Sequence, residues 1–345
     1  MGTQSGRIVD TYKCVHLSVG ELLRSGAERE DCPHAETIRR TLVAGNIVPV
    51  ELSLGLLREA MDEAAAVVVG GDGDGDDDER YGSRIFLVDG FPRNYENLRG
   101  WTECMPGHAS VLGALVYDCP MEELERRILG RAETSGRSDD NLESARRRFD
   151  TFRRQTMPVV RALERAQEML AEADGDDGNS EEGGGGGFSL VVDGDISVST
   201  PSVGRIMGGG GIRLDVVKIN AAGSVDEVWK ATKAAMDSFV KNDVLTANSN
   251  LLSAIEEGDI ARVTALSDDD ELLEGMEPMY DGPSSPTALA PSSSSLISNG
   301  RVNIIDGIKA IVSYDRKMKG GMKVRETRVW KHGPRGWKCV GVTRV

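Results

Sequence analysis

Two clusters of glycine and arginine in this chain have the residue types and spacing that anion chemistry needs. The first is GFPRNYENLRGW at 90–101, directly after the apolar run IFLVD at 85–89. Gly90 lets backbone approach a ligand closely, and the guanidinium of Arg93 can fork onto a phosphate. An ordinary strand-exit turn carries the same residue types, so this segment alone leaves both readings open. The second cluster is RAETSGRSDDN at 131–141. Arg131 and Arg137 flank a small polar loop there, and Asp139 and Asp140 are placed to hold guanidiniums. Arg148 lies eleven residues beyond Arg137, about three helical turns. Converging on one site, the three arginines would neutralise a polyphosphate; spread along a solvated basic helix face, they would not. HLSVGELLR at 16–24 and NIVPVE at 46–51 are weak signals taken singly.

The balance of the 345-residue chain narrows the function classes. Its net charge of −15 excludes general nucleic-acid affinity, which needs a basic footprint. The acidic runs Asp72 to Glu79 and Asp174 to Glu182 are Gly-rich and read as solvated loops rather than a metal cage. Glu122 to Arg165 is instead Arg-rich, which suits a small anionic ligand. Cys14, Cys32, Cys104, Cys119 and Cys339 are odd in number and lack a CxxC pair, so free thiols in a reducing compartment are expected. The four His show no HxxxH spacing, so no zinc site is expected. MGTQSGRIVD has no signal-peptide core, and Ala64 to Val69 is too short to span a bilayer. Gly2 is not followed by Ser or Thr at position 6, against myristoylation. The expected location is cytoplasmic, with the nucleus left open, and neither nucleic acid nor membrane is an expected partner.

These side chains need elements to position them. Ile8, Val9 and Tyr12 predict a helix over 5–13, followed by a strand at Cys14 to Leu17. Ser18 then caps a helix, with Glu21 completing a capping box. Amphipathic helices are expected at 35–45 and 53–66. IFLVD at 85–89 and VLGALVYDC at 111–119 read as buried parallel strands alternating with helices, hence an α/β fold. Five glycines at 183–187 and GGGG at 208–211 break the pattern, with SLVVDGDISV between them as a local strand pair. LDVVKINAA at 214–222 reads as a strand, and 225–236 as a helix. A helical stretch over 244–266 carries Leu251, Leu252, Ile255, Ile260 and Val263. A Pro/Ser-rich loop at 281–295 precedes strands at 302–318 and 324–345 around the KGG and GPRG turns. That later part is α+β, so two domains are expected: 1–240, with disordered insertions at about 67–83 and 172–213, and 241–345.

Taken in order, MGTQ, HLSVGELLR, GNIVPVE, DGFPRNYENLRGW, SGRSDDN and INAAGSVDEV resemble the UMP–CMP kinase branch of the adenylate-kinase-like nucleoside monophosphate kinases. The likeness runs from Met1 to about Met236. It implies phosphoryl transfer from ATP to UMP or CMP with Mg²⁺, and residue roles follow from it. Arg24 and Arg93 would bind the acceptor's phosphate, at a turn built from Gly90, Phe91 and Pro92. Asn46, Ile47 and Val48 would line its sugar and base pocket. Asn97 would hydrogen-bond the pyrimidine edge, an amide offering both donor and acceptor. Arg131, Arg137 and Arg148 would clamp the transferring group, and Asp89 would hold the magnesium shell through water. Gly2, Thr3, Arg131 and Gly223 would contact ATP.

The likeness begins inside the family's phosphate-binding GKGTQ motif, with Met1 at the Lys position. The sequence reading therefore expects either a start further upstream in the gene or an inactive product, a nucleotide-binding remnant fused to a scaffold. Asn46 and Gly223 each replace a Lys. At the other end, ETRVWKHGPRGWKCVGVTRV at 326–345 and LLSAIEEGDIARVTALSD at 251–268 resemble the calcium/calmodulin-dependent protein kinase II association domain, a SnoaL/NTF2-like cone. The family's histidine-bearing segment is missing, and Gly341 and Thr343 replace its terminal histidines. The resemblance implies homo-oligomer assembly. HRD and DFG motifs of protein kinases are absent.

Overall fold

The computed structural model describes residues 2–44, 46–67, 85–105, 108–109, 111–135, 142–174, 189–192, 196–199, 215–267, 297–306, 308–317, 323–333 and 336–345. The expected insertion at 67–83, apart from the helix end at Val67, and the Pro/Ser-rich loop at 281–295 lie outside these residues. The chain divides into two compact units. One comprises Met1–Arg7, His16–Ala66 and Phe86–Ala235; the other comprises Ile8–Val15, Val67–Ile85 and Met236–Val345.

The first unit is α/β. Wholly or partly in it lie α1 (Thr3–Tyr12), β1 (Val15–Ser18), α2 (Val19–Glu28), α3 (Ala35–Val43), α4 (Val50–Val67), β2 (Phe86–Asp89), α5 (Tyr95–Cys104) and β3 (Ala114–Asp118). There follow α6 (Met121–Ser135), α7 (Leu142–Thr151), a π-helical turn (Phe152–Thr156), α8 (Met157–Asp174), β4 (Ser189–Val192), β5 (Ile196–Ser199), β6 (Val216–Asn220) and α9 (Val225–Glu257). β1 pairs with β2, and β3 runs parallel to β6 from Ala114 opposite Val216 to Asp118 opposite Asn220. The β4–β5 hairpin is antiparallel, as SLVVDGDISV predicts, and lies inside the stretch expected to be disordered. β2 and β3 are only half-buried, not fully buried as their apolar runs predict. Among the described residues each has one hydrogen-bonded neighbour, so one side of each stays less covered.

Helix burial follows the 3.6-residue period: Val19, Leu23 and Ala27 of α2 face inward together. Ser18 does occupy the N-cap of α2, but its side chain makes no capping hydrogen bond. The capping box forms instead at Ser224 and Glu227. The Glu227 carboxylate accepts from the Ser224 backbone N–H at 2.8 Å, and the Ser224 hydroxyl accepts from the Glu227 N–H at 3.3 Å. The helix it opens, α9, is continuous over residues expected to form two helices. No Gly or Pro interrupts it, and Phe239 and Val240 in the expected gap are buried.

In the second unit, α9 ends at Glu257 and α10 (Ile260–Leu266) follows, with Asp259 capping it by accepting from the Arg262 N–H. Four strands then form an antiparallel meander: β7 (Ile297–Asp306), β8 (Lys309–Lys317), β9 (Lys323–Gly333) and β10 (Gly336–Arg344). The expected 302–318 strand is thus two strands. Trp337 donates its indole N–H to Asp243 at 2.9 Å, and the Ser267 hydroxyl donates to the Cys339 carbonyl at 3.1 Å. The inward face of β9 carries Glu326, Arg328, Trp330 and His332, all buried. Tyr314 and Arg328 Nε both donate to Glu326 Oε1. Arg328 Nη2 lies 2.7 Å from the same oxygen but outside hydrogen-bond geometry, so that contact is an ion pair only.

Two consequences can be measured. Gly100 of α5 meets α4 so closely that an added Cβ would lie 2.6 Å from Val50 Cγ2. G100A should destabilise the first unit by about 1–3 kcal/mol, seen as faster amide exchange across α4 and α5; unchanged exchange would contradict this packing. Burial of His332, whose Nδ1 has no hydrogen-bond partner among the described residues, pushes its pKa down from 6.5 to about 4. The unfolded chain then binds more protons than the folded one between those values, so stability rises with pH across this window. It is lost as pH falls through it, by on the order of 3 kcal/mol at the acid end. H332Q should flatten the pH dependence of melting between pH 4 and 6.5; an equally steep profile would refute the assignment.

Candidate functional site

The GFPRN segment leaves β2 as a tight turn. Gly90 has φ +79°, and a Cβ there would lie 3.0 Å from Arg93 Nη2, so glycine serves both the backbone and the neighbouring guanidinium. The Phe91–Pro92 bond is cis. Asn94 then caps α5 by accepting from the Asn97 N–H at 2.9 Å. Arg93 is held at every polar point of its backbone. Its N–H donates to Asn97 Oδ1 at 3.1 Å, and its carbonyl accepts from the Thr156 hydroxyl at 2.8 Å. Its side-chain Nε donates to the Gly90 carbonyl at 2.8 Å.

The turn brings Arg93 to Arg24 of α2. A Cβ placed on Gly20 would lie 3.6 Å from Arg24 Nη1 and 3.8 Å from Arg93 Nη2, so both guanidiniums converge on one bare stretch of helix. Among the described residues neither has a carboxylate within ion-pair distance. Lost hydration lowers the Arg93 pKa, Asp89 raises it, and Arg24 lowers it again. Although crowded by protein in this way, Arg93 stays open to solvent. Asp89, at the end of β2, is half-exposed, while the His16 imidazole is buried with Nε2 3.5 Å from Asp89 Oδ2, short of a hydrogen bond.

The first turns of α1, which follows Gly2, and of α9, which follows Gly223, meet at a second place. Gln4 Nε2 donates to the Val225 carbonyl at 3.0 Å, and Arg7 pairs with Asp226 at 2.7 Å, tying the start of α1 to the start of α9. Arg127 donates to the Gly223 carbonyl at 3.2 Å and pairs with Glu123. The Ser224 contacts hold the Glu227 carboxyl below its usual pKa.

Of the remaining predicted residues, Asn46 and Ile47 lie in the extended segment before α4, Asn46 exposed and Ile47 half-buried, and Val48 is buried there. Asn97 is buried, its carbonyl committed to Arg93. Arg148 is exposed on α7. Arg131 lies on α6, and Arg137, Asp139 and Asp140 lie outside the described residues. Sequence reasoning missed His16, Thr156 and Arg127, whose contacts join residues far apart in the chain. It also missed the Ser224–Glu227 cap, which the SVDE spacing does announce. Among the described residues no group of three His, Cys, Asp or Glu could hold a metal, and no helix is long and apolar enough to cross a membrane.

Two guanidiniums converging with no carboxylate within ion-pair distance among the described residues should bind a small oxyanion. Millimolar sulfate is expected to raise the melting temperature, with R24A and R93A each removing most of that rise. R24A should leave the ligand-free protein no less stable, because it relieves repulsion. A sulfate response that survives in both variants would place the anion elsewhere.

A family described as AAA domain matches residues 1–146. The UMP-CMP kinase of Sus scrofa is 42% identical over 159 residues, covering 46% of this chain and 75% of the relative. The UMP-CMP kinase of Homo sapiens is 41% identical over the same shares. That of Gallus gallus is 41% identical over 164 residues, 48% of this chain and 78% of the relative. Among solved structures, the Chlamydamonas reinhardtii CamKII hub homology domain is 27% identical, covering 30% of this chain and 96% of that one, at a TM-score of 0.24. That score does not identify the fold of the second unit, where four antiparallel strands stand and the cone does not follow.

Proposed function

Because the chain belongs to the UMP-CMP kinase family, we propose that its first unit transfers the γ-phosphoryl group of ATP to UMP or CMP, giving ADP and a pyrimidine nucleoside diphosphate. The observation that carries this reading is the convergence of Arg24 and Arg93 over Gly20, which fits a terminal phosphate monoester. A helix side chain at position 20 would fill the space that the phosphate needs.

Asn97 supplies the base contact. With Oδ1 engaged by the Arg93 N–H, its Nδ2 is the group left to donate. Cytosine and uracil both offer O2 as an acceptor, so one donor accepts either pyrimidine. Asn46, Ile47 and Val48 border the sugar and base. Arg131, Arg137 and Arg148 neutralise charge on the transferring phosphoryl group, whose loose transition state spreads charge over its oxygens. Gly2, Thr3 and Gly223 border the ATP side.

The half-exposed carboxylate of Asp89 at the strand end fits a water-mediated contact with Mg²⁺, an ion that keeps several waters and takes few protein oxygens. When bound, the ion would offset charge on the phosphates. Asp89 would hold it through water, and the neighbouring Arg93 would keep the acceptor phosphate nearby.

The purified chain should convert CMP and ATP-Mg²⁺ to CDP and ADP, and R93A should lower kcat/KM for CMP by about 10³-fold. Product formation that R93A leaves unchanged would overturn the site. CMP binding without turnover would assign the unit a nucleotide-binding role instead.

A further inference from the structure

We propose that Thr156 is a positioning residue that sets Arg93 for the acceptor phosphate and couples it to the helix carrying Arg148. The proposal rests on the reading of Arg93 and Arg148 above. Residues 142–174 form one helical rod, α7 and α8 joined by the π turn Phe152–Thr156. The turn has a cause in the sequence. Pro158 has no N–H, and its ring crowds the carbonyl four residues earlier, so a wider turn just before it relieves the clash. The Met157 N–H reaches back to the Phe152 carbonyl, the five-residue step of a π helix. One inserted residue also rotates the side chains that follow by about 100° around the axis.

The result is a hydroxyl aimed out of the rod at the site. Thr156 donates to the Arg93 carbonyl at 2.8 Å, and Tyr95, two residues beyond Arg93, donates its phenol to the Pro158 carbonyl at 2.9 Å. The two bonds run in opposite directions between the rod and the turn, flanking Arg93. Without the first, the hydrogen bonds left to Arg93 among the described residues are those to Asn97 and Gly90, both made within its own turn and the helix after it. Nothing in that local set fixes the turn relative to Arg148. Thr156 does so, and it touches neither nucleotide.

The test compares T156V, which removes the donor at nearly constant shape, with T156S, which keeps it. Two readouts are used on the full chain: steady-state kinetics with CMP and ATP-Mg²⁺, and the affinity for inorganic sulfate from melting shifts. One hydrogen bond of ordinary strength corresponds to about a fivefold effect. T156V is expected to raise KM for CMP and weaken sulfate by about fivefold, with KM for ATP within twofold of wild type. T156S should recover both values, and Y95F combined with T156V should exceed either alone. T156V matching wild type in CMP KM and sulfate affinity overturns the proposal. So does a variant pair in which Val and Ser lose affinity for CMP and ATP alike, which marks a merely structural role. If the wild-type chain does not turn over CMP, the kinase reading fails while the sulfate measurement still decides whether Thr156 positions Arg93.

Discussion

Two positive charges held together with no carboxylate paired to either among the described residues are the constraint around which the first unit is arranged. Arg24 and Arg93 both reach within 4 Å of one point above Gly20. Each guanidinium lies in the other's field, and Arg24 lowers the Arg93 pKa. Free side chains would splay into water. Arg93 is kept from doing so by bonds at its N–H, its carbonyl and its Nε. The glycines at 20 and 90 leave the guanidiniums room, and the Asn94 cap fixes where α5 starts. Preorganisation of this kind transfers the cost of assembling the charges to folding, so that an incoming anion meets an oriented pair.

The parts of this arrangement that are local in sequence were legible before any coordinates. GFPRN announces its turn because glycine and proline restrict backbone in known ways. The failures share a cause. Ser18 and Ser224 stand three residues before a glutamate alike, and only the second pair closes the box. What decides is the geometry of entry: Ser18 follows directly from a strand, whereas Ser224 follows the Ala221–Gly223 bend. Thr156 could not be read at all, since its partner lies sixty-three residues away. His16 is similar, a polar residue in HLS whose burial depends on what β2 places against it.

The second unit defeats a simpler rule. Alternation in VRETRVWKH suggests that Val324 and Val329 define faces of a strand, yet the buried face holds Glu326, Arg328 and His332, and Val329 points outward. Tyr314 and Arg344 also reach Glu326, so the carboxylate is shared rather than paired once. Burial raises the Glu326 pKa, but Arg328, Tyr314 and Arg344 together outweigh it and leave it low. Removing one member would strand a charge, whereas an apolar replacement of the whole set could be neutral. Such a network specifies register more strongly than it stabilises, because a one-residue slip would turn every charge toward the opposite face.

The continuity of α9 bears on how this chain can be taken apart. Val228 and Ala235 are buried in the first unit, while Met236, Phe239, Val240 and Leu251 are buried in the second, all on one uninterrupted helix. A protein severed near residue 240 would end or begin in mid-helix. The upstream piece would be left with four carbonyls lacking acceptable donors, and the downstream piece with four amides lacking acceptors. Each piece would also carry a fraying turn whose apolar side chains its own core requires. In heredity as in the laboratory, a join between these two units is therefore costly anywhere along α9, and a cut at the Gly258–Asp259 break would strip Phe239, Val240 and Leu251 from the core of the second unit.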